Sequence, residues 1–142
     1  MLLPLLDVGE NLQKITDHND NLIALVIDIN DSKESKNFYT DENNDIQFGV
    51  FNLPENEVIE KHFHPEQERS IKTTSEVLII LEGTVVASLF DKKLEFLKEI
   101  TLRSGFVLIT FDGGHGLKVL KDTKLLEVKQ GPYNDQTDKI RF

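Results

Sequence analysis

The chain contains no cysteine and no tryptophan, a single methionine and only four prolines in 142 residues. Without cysteine there is no disulfide framework and no thiolate to act as nucleophile or metal ligand. That usage fits a cytoplasmic protein, which is the expected location. No apolar run approaches the roughly 20 residues of a membrane helix. The opening Met1–Asp7 has an apolar patch but no basic n-region and no small-residue cleavage site, so it does not read as a signal peptide. Positive charge is also scarce: 25 acidic against 16 basic residues give a net charge of −9. An acidic chain without a basic stripe disfavours nucleic-acid binding, and no membrane partner is expected.

What the chain has is the composition of a soluble globular domain, 39% hydrophobic and 29% charged, long enough to bury a core. Residues 1–20 are the least legible, with Val8–Leu12 suited to a short helix or turn. Leu22–Ile29 is a β-branched run expected to form a strand buried on both faces. Ser32–Asp45 reads as a solvated loop, with Asn37-Phe38-Tyr39 packing as a small apolar clamp. From Ile46 onward the pattern becomes short strands bounded by turn residues. The expected strands are Ile46–Leu53, Val58–His64, Glu76–Leu81, Thr84–Phe90, Leu94–Leu102, Phe106–Phe111, Leu117–Leu120 and Lys124–Gln130. Turns are expected at Pro54–Glu57, Glu82-Gly83, Asp91–Lys93, Arg103–Gly105 and Lys121–Thr123. Roughly nine short strands with little helix argue for a β-sandwich or barrel, jelly roll included.

The histidines carry the candidate chemistry. There are four, and His18 sits in a polar stretch where solvation explains it. In a strand, His62 and His64 project to one side because side chains alternate. Glu76 opens the next apolar strand, and an antiparallel return across Pro65–Ser75 would set it beside them. His115 lies in Asp112-Gly113-Gly114-His115-Gly116, expected to be a tight loop presenting the imidazole. Imidazole and carboxylate together bind divalent iron, nickel, cobalt, manganese or zinc. Around them, Arg69 is a candidate clamp for a substrate carboxylate or phosphate, or a surface ion pair with Glu66 or Glu68. Glu127 and Lys129 share a face of the last strand, lining a pocket or facing water, and Tyr133 is a candidate lid.

In this pattern the chain resembles the cupin superfamily. His62-Phe63-His64, then Glu76, six residues and Gly83 follow its first motif, and Gly105 leading to His115 follows its second. The resemblance spans about residues 46–130. It implies a double-stranded β-helix, a jelly-roll barrel, with residues 1–142 forming one domain: an N-terminal strand and polar loop over 1–45, the barrel over 46–130 and a tail over 131–142. It implies a mononuclear metal site of His62, His64, Glu76 and His115. Eleven residues separate His64 from Glu76, more than the family's usual three or four, so Glu68 at the shorter spacing is a rival ligand. Phe111 stands where the second motif has proline, and the glycine-to-histidine spacing is one residue short.

A narrower likeness rests on His62–His64, Glu68–Ile71, Thr74–Glu76, Gly113–Gly116 and Glu127–Tyr133. These look like a group of small bacterial cupins associated with surface-polysaccharide and lipopolysaccharide biosynthesis. The likeness implies a small-molecule ligand of sugar or sugar-nucleotide type. An isomerase, lyase or dioxygenase would use the metal, with Glu127 or Tyr133 as acid–base candidates. A non-catalytic sugar-binding module, with a structural metal or none, is the other reading. A homodimer is expected, because cupin sheets commonly pair and Leu22–Ile29 is very apolar.

Overall fold

A computed structural model of the chain describes residues 11–142. The suggested turn or helix near Val8 lies largely outside that range. The described chain is all-β, built from antiparallel strands. They are β1 (Leu12–Thr16), β2 (Leu22–Asp28), β3 (Lys36–Phe38), β4 (Gly49–Phe51), β5 (Glu76–Phe90), β6 (Phe96–Arg103), β7 (Phe106–Thr110) and β8 (Gly114–Lys129). β3 and β4 form a small two-stranded sheet; the other six make one sheet.

β5 is the organiser. β8 runs antiparallel along one edge for nearly its whole length, from Glu76↔Lys129 to Phe90↔Gly114. The opposite edge is divided: β7 pairs with Glu76–Ile79, and β6 pairs with Thr84–Phe90. The β6–β7 turn tucks into the break, where Gly105 N donates to Ile80 O at 2.9 Å and Ser104 Oγ to Leu81 O at 2.8 Å.

This ribbon folds over. Leu89 pairs with His115, and a straight strand would put Leu89 about 43 Å from Glu76. Yet the Glu76 and His115 side chains are 3.1 Å apart. The β5–β8 ribbon therefore doubles back near Gly83, where its register shifts. One layer holds β1, β2, β7 and the first part of β5; the other holds β6 and the last part of β5. The main core lies between them, with Val26, Leu78 and Leu108 from the first layer against Leu89, Ile100 and Leu102 from the second. A second core covers the outer face of the first layer, where Tyr39, Phe48 and Val50 pack over Leu25, Ile27 and Ile109.

Gly83 makes the fold-over possible. Its φ is +94°, and a Cβ there would lie 2.3 Å from the Asp122 carbonyl oxygen on β8. Gly83→Ala is expected to cost about 2–3 kcal/mol, from left-handed strain plus the clash. Urea unfolding checks this, and an unchanged midpoint would contradict it.

Several expectations need correcting. Glu76–Phe90 is one bent strand, not two strands joined by a hairpin turn at Glu82-Gly83, because β8 holds both halves. Gly114–Lys129 is likewise one strand, and His115 sits at its start rather than in a loop. Ile46–Leu53 contributes only the three residues of β4. The expected loop over Ser32–Asp45 includes β3. Val58–His64 is not a strand: residues 52–74 form no regular element beyond a turn at Pro54–Glu57, and all are exposed. Without that strand no closed barrel forms among the described residues. Leu22–Asp28 is the expected strand, but it pairs on both edges, with β1 and β7, and Ile23–Ile27 is fully buried. It offers no surface for a second subunit. Among the described residues no helix is long and apolar enough to cross a membrane.

Candidate functional site

The fold-over creates an open pocket of about 1200 Å³ at one end of the two layers. Glu76 and Leu78 enter it from the first half of β5, Ser88 and Phe90 from the second, and His115 and Glu127 from the two ends of β8. The C-terminal tail closes one side. Phe142 stacks edge-on against Phe90 with ring centroids 5.1 Å apart, and Asp138 accepts from Lys129 Nζ at 3.1 Å. Gly113, at φ +72°, lets the chain turn into β8 directly beneath Phe90, whose carbonyl oxygen would be 2.1 Å from a Cβ. That turn aims His115 into the pocket.

At the floor, His115 Nε2 and Glu76 Oε1 are 3.1 Å apart, with side chains 30% and 13% exposed. Glu127 stands on the strand next to Glu76, one pleat along on the same face, since Glu76 pairs with Lys129 and Leu78 with Glu127. The hydrogen bond from His115 holds the Glu76 carboxyl below the usual range, against the opposing effect of burial. The proton shared with Glu76, then burial and the nearby Glu76 charge, push Glu127 upward. One carboxyl is thus kept ionised and its neighbour keeps a proton to higher pH. Lys129 lies over the Tyr133 ring at 5.3 Å and 3.7 Å from Glu127; its ammonium is stabilised chiefly by Asp138.

The pair sets a pH dependence for the metal-free protein. Glu76, with a lowered folded pKa, contributes stability above the unfolded value of 4.5 and loses it as pH falls through the folded value. Glu127, with a raised one, contributes below 4.5 and loses it as pH rises through its folded value. Glu127→Gln is therefore expected to raise the melting temperature at pH 7 by about 1–2 °C. Near pH 3.5 the gain should vanish. A melt showing the same difference at both pH values would refute this coupling.

The sequence-predicted residues divide into two groups. Glu76, His115, Glu127 and Lys129 all line the pocket. His62 and His64 lie on the exposed segment, their rings 5.3 Å apart, with His62 Nδ1 donating to Glu60 O at 2.8 Å. That bond uses Nδ1, so Nε2 is the ring nitrogen it does not engage. Among the described residues no three His, Asp or Glu side chains come close enough together to hold a metal ion. Of the two rival carboxylates, Glu76 meets a histidine, whereas Glu68 is exposed on the same segment as His62. Arg69 is in neither proposed ion pair and lines a shallow depression with Asn44 and Asp45. Tyr133 is 63% exposed and packs under Lys129 rather than over the cavity. His18 is exposed.

Sequence reasoning did not anticipate Asp138 and Phe142. The only signal was the isolated apolar ending, Ile140-Arg141-Phe142, of a polar tail. No family model, curated protein or solved structure matches the chain.

Proposed function

We propose that the pocket binds a small oxygen-rich molecule, of sugar or sugar-nucleotide type, at a divalent transition metal held by His115 and Glu76. The observation that carries the reading is the 3.1 Å approach of His115 Nε2 to Glu76 Oε1 inside an open cavity. Two neighbouring ligands that each bind a metal at about 2.1 Å lie about 3.0 Å apart. The donor types fit as well, an imidazole beside a carboxylate kept ionised.

On this reading the chain is a cupin whose jelly roll is completed by the segment carrying His62 and His64, which supply the remaining ligands. The metal, when bound, offers Lewis-acid or redox chemistry. Glu127, which releases its proton less readily than an ordinary glutamate because of its neighbour Glu76, is placed to exchange a proton with a ligand. Lys129 and Asp138 form a polar wall suited to hydroxyl groups. A non-catalytic sugar-binding module would use the same wall, and what separates the two is turnover of a bound ligand.

The first test is the metal content of the purified protein and of His62→Ala and His115→Ala. Metal should accompany the wild type and be lost from the variants; unchanged content in both would sink the site.

A further inference from the structure

The two halves of the proposed site lie on parts of the chain that one copy does not bring together. We propose that residues 52–74 form an exchanged arm. In a two-fold dimer each arm pairs with the free edge of β8 in the other copy and delivers His62 and His64 to that copy's Glu76–His115 pair. This rests on the metal-site reading above and names the partner that completes it.

Three observations carry it. The first is the arm itself. All of its 23 residues are exposed, including Val58 at 77%, Ile59 at 62% and Phe63 at 83%. If it is extended, Ile59 and Phe63 fall on one side and His62 and His64 on the other, yet the copy that carries it supplies no strand partner among the described residues.

The second is the edge. β8 has 16 residues and pairs only with β5 among the described residues, and Leu117, Val119, Leu120, Leu126 and Val128 are all more than 40% exposed. A long apolar edge of this kind is a template for another strand, and natural chains cover it. Its charge suits the arm. β8 carries Lys118, Lys121, Lys124 and Lys129 against Asp122 and Glu127, a net of +2 in a chain of −9. The arm carries Glu55, Glu57, Glu60, Glu66 and Glu68 against Lys61, Arg69 and Lys72, a net of −2.

The third is the path. The arm leaves β4, which covers the outer face of the first layer, and Arg69–Ile71 returns beside Asn44 and Asp45 on the β3–β4 connection. Of the arm only Thr74, which leads into Glu76, reaches the rim of its own pocket; Arg69–Ile71 stays beside the β3–β4 connection. The free edge beside His115 belongs to the other layer. A loop tethered at both ends and this long reaches roughly 35–40 Å, enough to cross to a neighbouring copy. In a symmetric pair the exchange is reciprocal, so both edges are covered and both sites completed.

The test mixes two variants, His62→Ala/His64→Ala and Glu76→Gln/His115→Ala, neither of which should hold metal alone. Co-refolded, they should regain about half the wild-type metal per chain within the mixed dimers, because each mixed dimer has one site with all its ligands. No recovery, with both variants dimeric and the wild type loaded, would mean that each arm serves its own chain and would overturn the exchange. A second measurement does not involve metal. Light scattering of the wild type at about 10 µM should give twice the 16.2 kDa chain mass. Ile59→Pro, which removes a backbone donor from the arm, should give a monomer whose far-ultraviolet circular dichroism is unchanged. A monomeric wild type overturns the exchange while leaving the Glu76–His115 metal reading standing. A dimer broken by Ile59→Pro, from a protein that binds no metal, supports the exchange and ends the metal reading instead.

Discussion

Substitution of His115 by alanine is expected to weaken divalent-metal binding by more than about 100-fold. Loss of a group that merely orients a ligand costs about 10–100-fold, and His115 is proposed as a ligand itself. Among the described residues no second histidine lines the pocket, so no other imidazole can substitute for it. Glu127 is the nearest carboxyl, but with its raised pKa it holds a proton more tightly than an ordinary glutamate. Binding to the folded state alone would also be visible as stability. At a metal concentration about 100 times the dissociation constant the gain is about 2.7 kcal/mol, or about 10 °C in melting temperature for a chain of this size. The wild type should show that shift with cobalt, nickel, zinc, manganese or ferrous iron, and His115→Ala should show almost none. Equal shifts in the two proteins would remove His115 from the site.

Leu108→Ala is expected to be the most damaging of the single core truncations. Leu108 is fully buried in β7, which pairs with β2 on one side and β5 on the other, and its side chain faces the space between the two layers. The two layers are held apart by strands that cannot easily collapse into a void. A buried Leu→Ala change of this kind costs about 3–5 kcal/mol. That is a large part of the 5–15 kcal/mol by which domains are stable. Denaturant unfolding should show the midpoint falling by that amount with the slope unchanged. A loss under about 1 kcal/mol would mean that the layers do not pack on one another there.

Much of the strand content was legible because period-two alternation and turn residues mark strands reliably where both are present. β2, β6 and β7 fall close to where the pattern places them. The misreadings have physical causes. Glu82-Gly83 and Lys121–Thr123 look like turns, but they are the two facing halves of one bend. A sequence shows that the chain must deviate there, not that two strands stay paired through the deviation. β1 was missed because Leu12 and Ile15 are three apart, a spacing that carries no strand signature; it is a strand because β2 gives it a partner. The converse holds for Val58–His64, where Val58, Ile59 and the two histidines flanking Phe63 suggest a strand but no strand neighbour is found among the described residues.

The candidate site divides along the same line. Local motifs pointed to His115 and Glu76, and the fold-over of the β5–β8 ribbon brings them into contact from strand positions 13 residues apart in pairing. The contributions of Asp138 and Phe142 depend on how the tail returns across the pocket, and no motif announces such a return. His62 and His64 alternate correctly for a shared face, but they lie on the exposed segment 52–74, and no local motif shows what that segment packs against.

The most direct measurement of the central claim is an anomalous-difference map from a crystal loaded with cobalt or zinc. The expected result is a peak about 2.0–2.2 Å from both His115 Nε2 and Glu76 Oε1. A map with no peak at that position, while His115 and Glu76 remain hydrogen-bonded at the observed distance, would contradict the assignment of this pocket as a metal site.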